Sequence, residues 1–475
     1  MKDYKHDISI RLLKLINILL IAFPFEICWY FYYANHTTAN FAWNARVYVW
    51  LMYIILYVFF GRIYDAFLVS YNRISEMVYS QMLAACVSDG LIYILICFLC
   101  KGFQHLWPGI LAILGQFGCS VAWSFGANRW YFNHYPPRRT YIIYDKRQGM
   151  DGLIQQYSLN RKFKVEKVLP VSEVIKNIEV LSDVEEVFLS GIHSHDRNTI
   201  IKYCVEKNIN TLVLPRIGDV IMLGAKKMHI LHLPVLMVSR YNPKPEYLFM
   251  KRAFDIFLSC IGLIVLSPIF LVTAILIKRD GGPVFYKQER LTKDGKIFEL
   301  IKFRSMRVDA EKDGVARLST GDNDDRITPV GKVIRKLRID ELPQLINILK
   351  GDLSIVGPRP ERPSISLQYE EELPEFRLRL QCKAGLTGYA QVYGKYNTTP
   401  YDKLMMDLMY ISDPGIIQDL RIIFATVKIL FLPESTEGIA AGQTTAMEQD
   451  VVDYDKMDTI YSDTEENEEK TVQNS

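Results

Sequence analysis

The sequence predicts a mixed-class membrane protein: four N-terminal transmembrane helices, a small α/β domain, and an α+β module that opens with a re-entrant membrane helix. Three observations carry this. Four apolar stretches, 12–33, 47–67, 81–100 and 106–131, each approach the roughly 20 residues that a helix needs to cross a bilayer. Between Arg139 and Lys244 the pattern changes to short strand-like runs alternating with helical ones. A fifth apolar stretch, 253–277, has basic pairs at both ends and Ser267-Pro268 in its middle.

The composition agrees with such a division. A chain of 475 residues exceeds one compact core. Its mean hydropathy of +0.06 is high for a soluble protein with 23% charged residues. From Glu448 onward ten acidic residues stand against two lysines, so a formal net charge of +3 conceals +11 on the remainder. A basic body behind an apolar front suits an anionic membrane face or phosphate-bearing substrates. No basic helix with interleaved aromatics argues for nucleic acid. Of the eight cysteines, six lie in apolar stretches, where cysteine behaves as a small hydrophobe. Cys97 and Cys100 have redox or zinc spacing but lack a second pair.

The first span is too long, and too soon followed by another, to be a cleaved signal peptide. Lys2, Lys5, Arg11 and Lys14 precede it; Arg62 and Arg73 follow the second; Arg129, Arg138 and Arg139 follow the fourth. The opposite loops carry only Arg46 and Lys101, so the N-terminus and everything after the fourth span are expected in the cytoplasm. Strands are expected at 140–144, 163–169, 186–190, 211–215 and 233–239, with helices at 197–207 and 220–230. No G-x-G-x-x-G follows the first strand, so a dinucleotide has no close backbone approach there. His193, His195, His229 and His232 lack cysteine or carboxylate neighbours at zinc spacing.

In the fifth apolar stretch, Lys251-Arg252 and Lys278-Arg279 argue that both ends face the cytoplasm. Pro268 removes a helical hydrogen bond and forces a bend there. The competing reading is an ordinary fifth span with a proline kink.

Beyond it, strand-like runs at 283–287 and 298–306 deliver Lys302 and Arg304, which suit phosphate oxygens as well as plain solvation. In GKVIRKLRIDELPQLINILKG (331–351), Leu342, Leu345, Ile346 and Leu349 fall at helical spacing, so a helix is expected from about 342 to 350. That places Asp340 and Glu341 at its start, where the dipole and Arg335, Lys336 and Arg338 favour an ionised carboxylate. An oriented carboxylate can attack phosphorus, and its neighbour can hold Mg²⁺. Taken alone, such a pair is more often a helix cap. Prolines on both sides of Arg359 fix its backbone and present a preorganised guanidinium.

The runs KRAFDIFLSCIGLIVLSPIF, KFRSMRVDAE, RKLRIDELPQLINILKGDLSIVGPRPERP and AGLTGYAQVYGK resemble the bacterial sugar transferase domain of the monotopic phosphoglycosyl transferases. With the four spans and a degenerate Rossmann-like domain, the chain resembles the family's long members, the undecaprenyl-phosphate sugar phosphotransferases. The resemblance implies Asp340 as nucleophile on the β-phosphate of a UDP-sugar, releasing UMP. Polyprenyl phosphate then takes the sugar phosphate, the first membrane step of exopolysaccharide or capsule synthesis, upstream of further glycosyltransferases. It further implies Glu341 as Mg²⁺ ligand, Arg335 and Arg359 as phosphate contacts, Ser267-Pro268 as the helix break, and a homodimer in the bacterial cytoplasmic membrane. Ala384 departs from the pattern, since relatives usually carry proline there.

The expected organisation is a membrane anchor at 1–135, the α/β domain at 136–247, the transferase domain at 248–435 and a disordered acidic tail at 444–475. Segments 401–411 and 416–431 are amphipathic and suit either a membrane surface or a core. Two rival functions are a non-catalytic membrane scaffold and a nucleotide-sugar oxidoreductase or epimerase using the middle domain. The first is opposed by the presence of Asp340 and Glu341, the second by the missing glycine loop.

Overall fold

In the computed structural model the described residues are 2–37, 43–145, 150–156, 159–308, 326–394 and 399–430. The expected acidic tail lies outside them. Two compact units result, Met1–Leu214 and Pro215–Ser475.

The four apolar stretches of the first unit fold as α1 (Lys2–Phe31), α2 (Trp43–Ile63), α3 (Ile74–Leu99) and α4 (Trp107–His134). All four contain windows long and apolar enough to cross a membrane. They cohere through buried polar pairs, each satisfying a group that hydrocarbon could not. Tyr57 donates to Asn17 at 2.8 Å, Gln116 to Tyr53 at 2.9 Å and Ser120 to Gln81 at 2.7 Å.

Next come β1 (Arg138–Tyr144), α5 (Met150–Gln156), β2 (Phe163–Pro170), α6 (Val171–Lys176), β3 (Glu186–Ser190), α7 (Ser194–Glu206) and β4 (Asn210–Val213). The strands form one parallel sheet in the order β2-β1-β3-β4. Its central strand β3 is buried along its whole length, as parallel strands covered on both faces are. Ile143, Val187 and Leu189 meet Val174, Leu181 and Ile200 in the core.

The second unit opens differently from expectation. The helix anticipated at 220–230 is split into α8 (Ile217–Leu223) and β5 (Lys226–Ile230), and 233–239 is not a fifth strand of the parallel sheet. It forms β6 (Leu233–Met237), antiparallel to β5. The connecting Leu231 and His232 have φ of 49° and 69°. Positive φ at both central positions is the geometry of a two-residue hairpin turn.

The fifth apolar stretch becomes α9 (Pro245–Val265) and α10 (Ser267–Arg279), bent by 61° at the expected Ser267-Pro268. Ser267 Oγ donates to the Ile264 carbonyl at 2.7 Å, occupying one acceptor freed at the bend. Ile264, Val265 and Leu271 beside the bend are exposed.

The strands β7 (Phe285–Leu291) and β8 (Ile297–Phe303) form an antiparallel ribbon. After it come α11 (Pro329–Lys336), a 3₁₀ turn (Ile339–Glu341), α12 (Gln344–Lys350) and β9 (Ser354–Val356). The chain continues through α13 (Pro363–Glu372), a 3₁₀ stretch (Pro374–Gln381) and β10 (Gly385–Thr387), which pairs in parallel with β9. Gly385 allows this approach: a Cβ there would lie 2.1 Å from the Gly357 nitrogen. The final elements are α14 (Tyr389–Tyr393), α15 (Pro400–Ser412) and α16 (Ile416–Leu430).

The core of this unit joins Val356, Tyr369 and Phe376 to Leu404, Leu408 and Ile411 of α15 and Ile422 of α16. Of the two readings of these amphipathic helices, the core reading holds for the apolar face of α15.

Candidate functional site

Three segments converge on one carboxylate. Strand β8 delivers Lys302 one residue before its end, the 3₁₀ turn delivers Asp340 and Glu341, and the turn after β9 delivers Arg359. The 3₁₀ turn is entered through Arg338 at φ 55°, a left-handed conformation that reverses the chain after α11. Glu341 Oε1 accepts from Lys302 Nζ at 3.0 Å and from Arg359 Nη2 at 2.9 Å. Lys302 and Glu341 are largely buried, with side chains 18% and 13% exposed.

Asp340 makes no such ion pair among the described residues. It is 9% exposed, and its Oδ1 is buried without a hydrogen-bond partner. It does not cap α12, which begins at Gln344 behind Pro343 and has no side-chain cap. The helix therefore starts later than 342, and Asp340 and Glu341 sit in the preceding turn. A buried, unsatisfied carboxylate oxygen is costly to fold around, which makes it a candidate for chemistry rather than architecture.

The two adjacent carboxylates are driven apart electrostatically. Burial raises the pKa of Asp340, and the charge of Glu341 raises it further; Lys302, Arg335 and Arg338 offset part of this. The expectation that nearby cations simply keep Asp340 ionised is thus corrected by its burial. For Glu341 burial also opposes ionisation, yet Lys302 and Arg359 hold it well below the ordinary carboxylate range. Glu341 is the firmly ionised partner, and Asp340 the one whose ionisation burial disfavours. Arg359 is held protonated by Glu341, whereas burial lowers the pKa of Lys302.

The remaining expected residues divide. Arg335, in the last turn of α11, is half-buried and close enough for its charge to act on Asp340. Arg304 is not brought to the carboxylates. Strand β8 ends at Phe303, and the Arg304 guanidinium turns to the carbonyls of Ile277 and Gly281. There it closes the C-terminal end of α10, where free carbonyls need donors. Ser267 and Pro268 mark the bend in the helix pair.

Sequence reading missed the support behind Arg359. Arg290 Nη1 donates to the Pro360 carbonyl at 3.0 Å, and the Leu291 amide donates to the Glu361 carbonyl at 3.0 Å. Glu361 pairs with Lys403 and, at 3.5 Å, with Arg379. Lys403 and Arg379 overcome burial and hold Glu361 down to about 2. Nothing in the local sequence signals these partners, which come from β7, the 3₁₀ stretch and α15.

Among the described residues no three His, Cys, Asp or Glu side chains cluster as a metal cage. The available donors are Asp340 and Glu341. Mg²⁺ commonly uses one or two carboxylates and completes its shell with phosphate oxygens and water. The orphaned Asp340 oxygen beside Glu341 fits that pattern.

A protein family described as Bacterial sugar transferase matches residues 246–433, from α9 to just past α16. The UDP-N-acetylgalactosamine-undecaprenyl-phosphate N-acetylgalactosaminephosphotransferase of Aeromonas hydrophila is 40% identical over 208 residues, 43% of this chain and 49% of that protein. The galactosyl transferase CpsE of Streptococcus agalactiae is 42% identical over 208 residues, 42% of this chain and 46% of that protein. These alignments thus span about half of each relative's length. The exopolysaccharide production protein PSS of Rhizobium leguminosarum bv. phaseoli is 44% identical over 190 residues, 38% of this chain and 94% of that protein. From the bent helix pair through the carboxylate turn to the helices that close the core, the chain belongs to the bacterial sugar transferase family.

Proposed function

We propose that this chain transfers a sugar 1-phosphate from a UDP-sugar to polyprenyl phosphate, through a covalent intermediate on Asp340. The observation that carries the reading is the buried, unpartnered Oδ1 of Asp340 beside a Glu341 locked between Lys302 and Arg359. A free carboxylate oxygen in a cationic setting is a nucleophile suited to a phosphorus centre.

In the first step Asp340 attacks the β-phosphorus of the UDP-sugar. The bond from that phosphorus to the bridging oxygen breaks, and UMP leaves with the electron pair. In the second step an oxygen of polyprenyl phosphate attacks the same phosphorus and the Asp340 carboxylate departs. The products are polyprenyl diphosphate sugar and regenerated enzyme. Arg359 and Arg335 take phosphate oxygens, and Lys302 keeps Glu341 ionised and oriented. Mg²⁺, which Glu341 would hold, would supply charge neutralisation of the diphosphate. Relatives named for sugar phosphate transfer to undecaprenyl phosphate support this substrate class.

The same reading puts α9 and α10 in the membrane as a re-entrant pair, with the site on the cytoplasmic face of a bacterial plasma membrane. Basic residues at both ends of the pair, the 61° bend and exposed apolar side chains near it support that placement. The reaction would begin assembly of a surface polysaccharide.

The test is to incubate membranes carrying the full chain with a panel of UDP-sugars, polyprenyl phosphate and Mg²⁺, and to measure UMP. One sugar is expected to release UMP, and Asp340→Asn to abolish it together with a phosphosugar adduct detectable by intact-protein mass spectrometry. Undiminished UMP release by Asp340→Asn overturns the mechanism. No release from any sugar favours a scaffold.

A further inference from the structure

A cavity of about 690 Å³ lies in the first unit, at the end of the bundle where α3 begins and α4 ends. Its walls have two characters. Ile74, Phe125 and Phe132 are apolar; Asn128, Arg129 and Arg161 are polar or cationic. Arg129 comes from the last turns of α4, whereas Arg161 comes from the short turn before β2. Neither guanidinium has an ion-pair or hydrogen-bond partner among the described residues. Asn128 is only 8% exposed, and its amide likewise has no partner among them. An amide without a partner and two uncompensated guanidiniums lining one cavity are an arrangement that an anionic oxygen ligand would complete.

The apolar wall decides which anion. Ile110, Leu114, Phe117 and Phe125 lie on one face of α4 and are all more than half exposed, forming a stripe that leads away from the cavity. At 1.5 Å per residue it runs roughly 22 Å, more than the roughly 15 Å of one hydrocarbon leaflet. We propose that the cavity holds the phosphate headgroup of an anionic glycerophospholipid, with an acyl chain along this stripe. The lipid would bridge the fourth span to the sheet domain through Arg129 and Arg161. A free phosphate would satisfy the polar wall and leave the stripe unused. The proposal rests on the four helices spanning a membrane and is independent of the chemistry at Asp340.

Native mass spectrometry of the full chain, released from nanodiscs into mild detergent, tests this with four added probes: phosphatidylglycerol, phosphatidylcholine, polyprenyl phosphate and inorganic phosphate. Phosphatidylglycerol is expected to stay bound in preference to phosphatidylcholine. The double variant Arg129→Gln/Arg161→Gln should weaken that retention on the order of 30-fold, from about a fivefold loss at each cation near an anionic surface. Arg139→Gln, on an exposed arginine outside the cavity, should not. Because both cavity arginines are exposed, the single variants should fold and show intermediate losses. Equal retention of both phospholipids, or retention unchanged in the double variant, overturns the proposal. Displacement by millimolar inorganic phosphate makes the cavity a plain anion site and also overturns it. Tighter binding of polyprenyl phosphate than phosphatidylglycerol reassigns the cavity to the isoprenoid carrier and rejects the phospholipid.

Discussion

Arg379 Nη2 donates to the carbonyl oxygen of Arg359 at 2.9 Å, so one buried arginine positions the backbone of the arginine that meets Glu341. The Arg379 guanidinium is in turn held by Asp407, its Nε donating at 2.8 Å, and both side chains are almost wholly buried. Removing one member of such a pair leaves an uncompensated charge inside the protein, a cost of about 3–5 kcal/mol. Asp407→Ala should therefore lower the melting temperature of the full chain sharply. Asp407→Asn, which keeps an acceptor, should lower it less. Equal melting temperatures for both variants and wild type would show the pair to be dispensable.

Arg359→Lys tests the contact with Glu341 itself. Lysine keeps the charge but not the planar fork, and a hydrogen bond to a charged group contributes roughly 1.5–3 kcal/mol. The expected outcome is a loss of roughly ten- to a hundred-fold in kcat/KM for UMP release, at a melting temperature near that of wild type.

The pH profile should report Asp340. Burial, followed by the neighbouring Glu341 charge, raises its pKa, so the ionised form of this proposed nucleophile is lost on acidification at a higher pH than for an ordinary aspartate near 4. Arg335→Gln removes a stabilising positive charge and should move the acid limb of kcat/KM further up. A limb that stays in place would argue that another group titrates in the profile.

Acid stability should depend on Glu361. Its folded pKa lies at about 2 against an ordinary 4.5, so its stabilising contribution is complete above about 4.5 and disappears as pH falls toward 2. The shift corresponds to on the order of 3 kcal/mol. Glu361→Gln should flatten the decline in stability between pH 4.5 and 3, as read by thermal unfolding at stepped pH. A decline as steep as that of wild type would assign it to other carboxylates.

Whether α9 and α10 form a re-entrant pair can be tested by labelling. Lys244→Cys and Asp280→Cys, each in a background with the eight native cysteines replaced, should react with an impermeant maleimide from the same side of sealed vesicles. Reaction from opposite sides would make α9 and α10 one kinked span.

Much of this molecule was legible in one dimension, for identifiable reasons. The four long helices follow from apolar runs of membrane length, and the bend from a proline between basic flanks. Lys302 and Arg359 meet at Glu341, next to Asp340 in the same turn, although the sequence offered the two cations for phosphate rather than for Glu341. Arg304 did not, because a strand ending at Phe303 releases the next side chain from the sheet's alternation. The β5–β6 hairpin was misread at β5, because the five residues Lys226–Ile230 are too few to carry a period that separates strand from helix, and the turn uses Leu231 and His232 rather than glycine. Arg379 and Asp407 were invisible as a pair: they stand 28 residues apart on different elements. Ala384 shows the reverse case, a departure whose meaning emerged in space: its amide donates to Thr292 Oγ1 at 3.3 Å, which proline could not do.

The bent helix pair is fastened to the body that carries the carboxylates. Arg252 donates to the carbonyls of Ile348 and Leu349 at 2.6 and 2.8 Å, and Asp255 accepts from the Ile355 amide at 3.0 Å. With α9 joined to both α12 and β9, the helix cannot rise or sink without carrying Asp340 along. If α9 and α10 lie in the membrane as proposed, lipids with longer or shorter tails would raise or lower Asp340 against the headgroup plane, and host-bilayer thickness would tune the proposed turnover through hydrophobic mismatch.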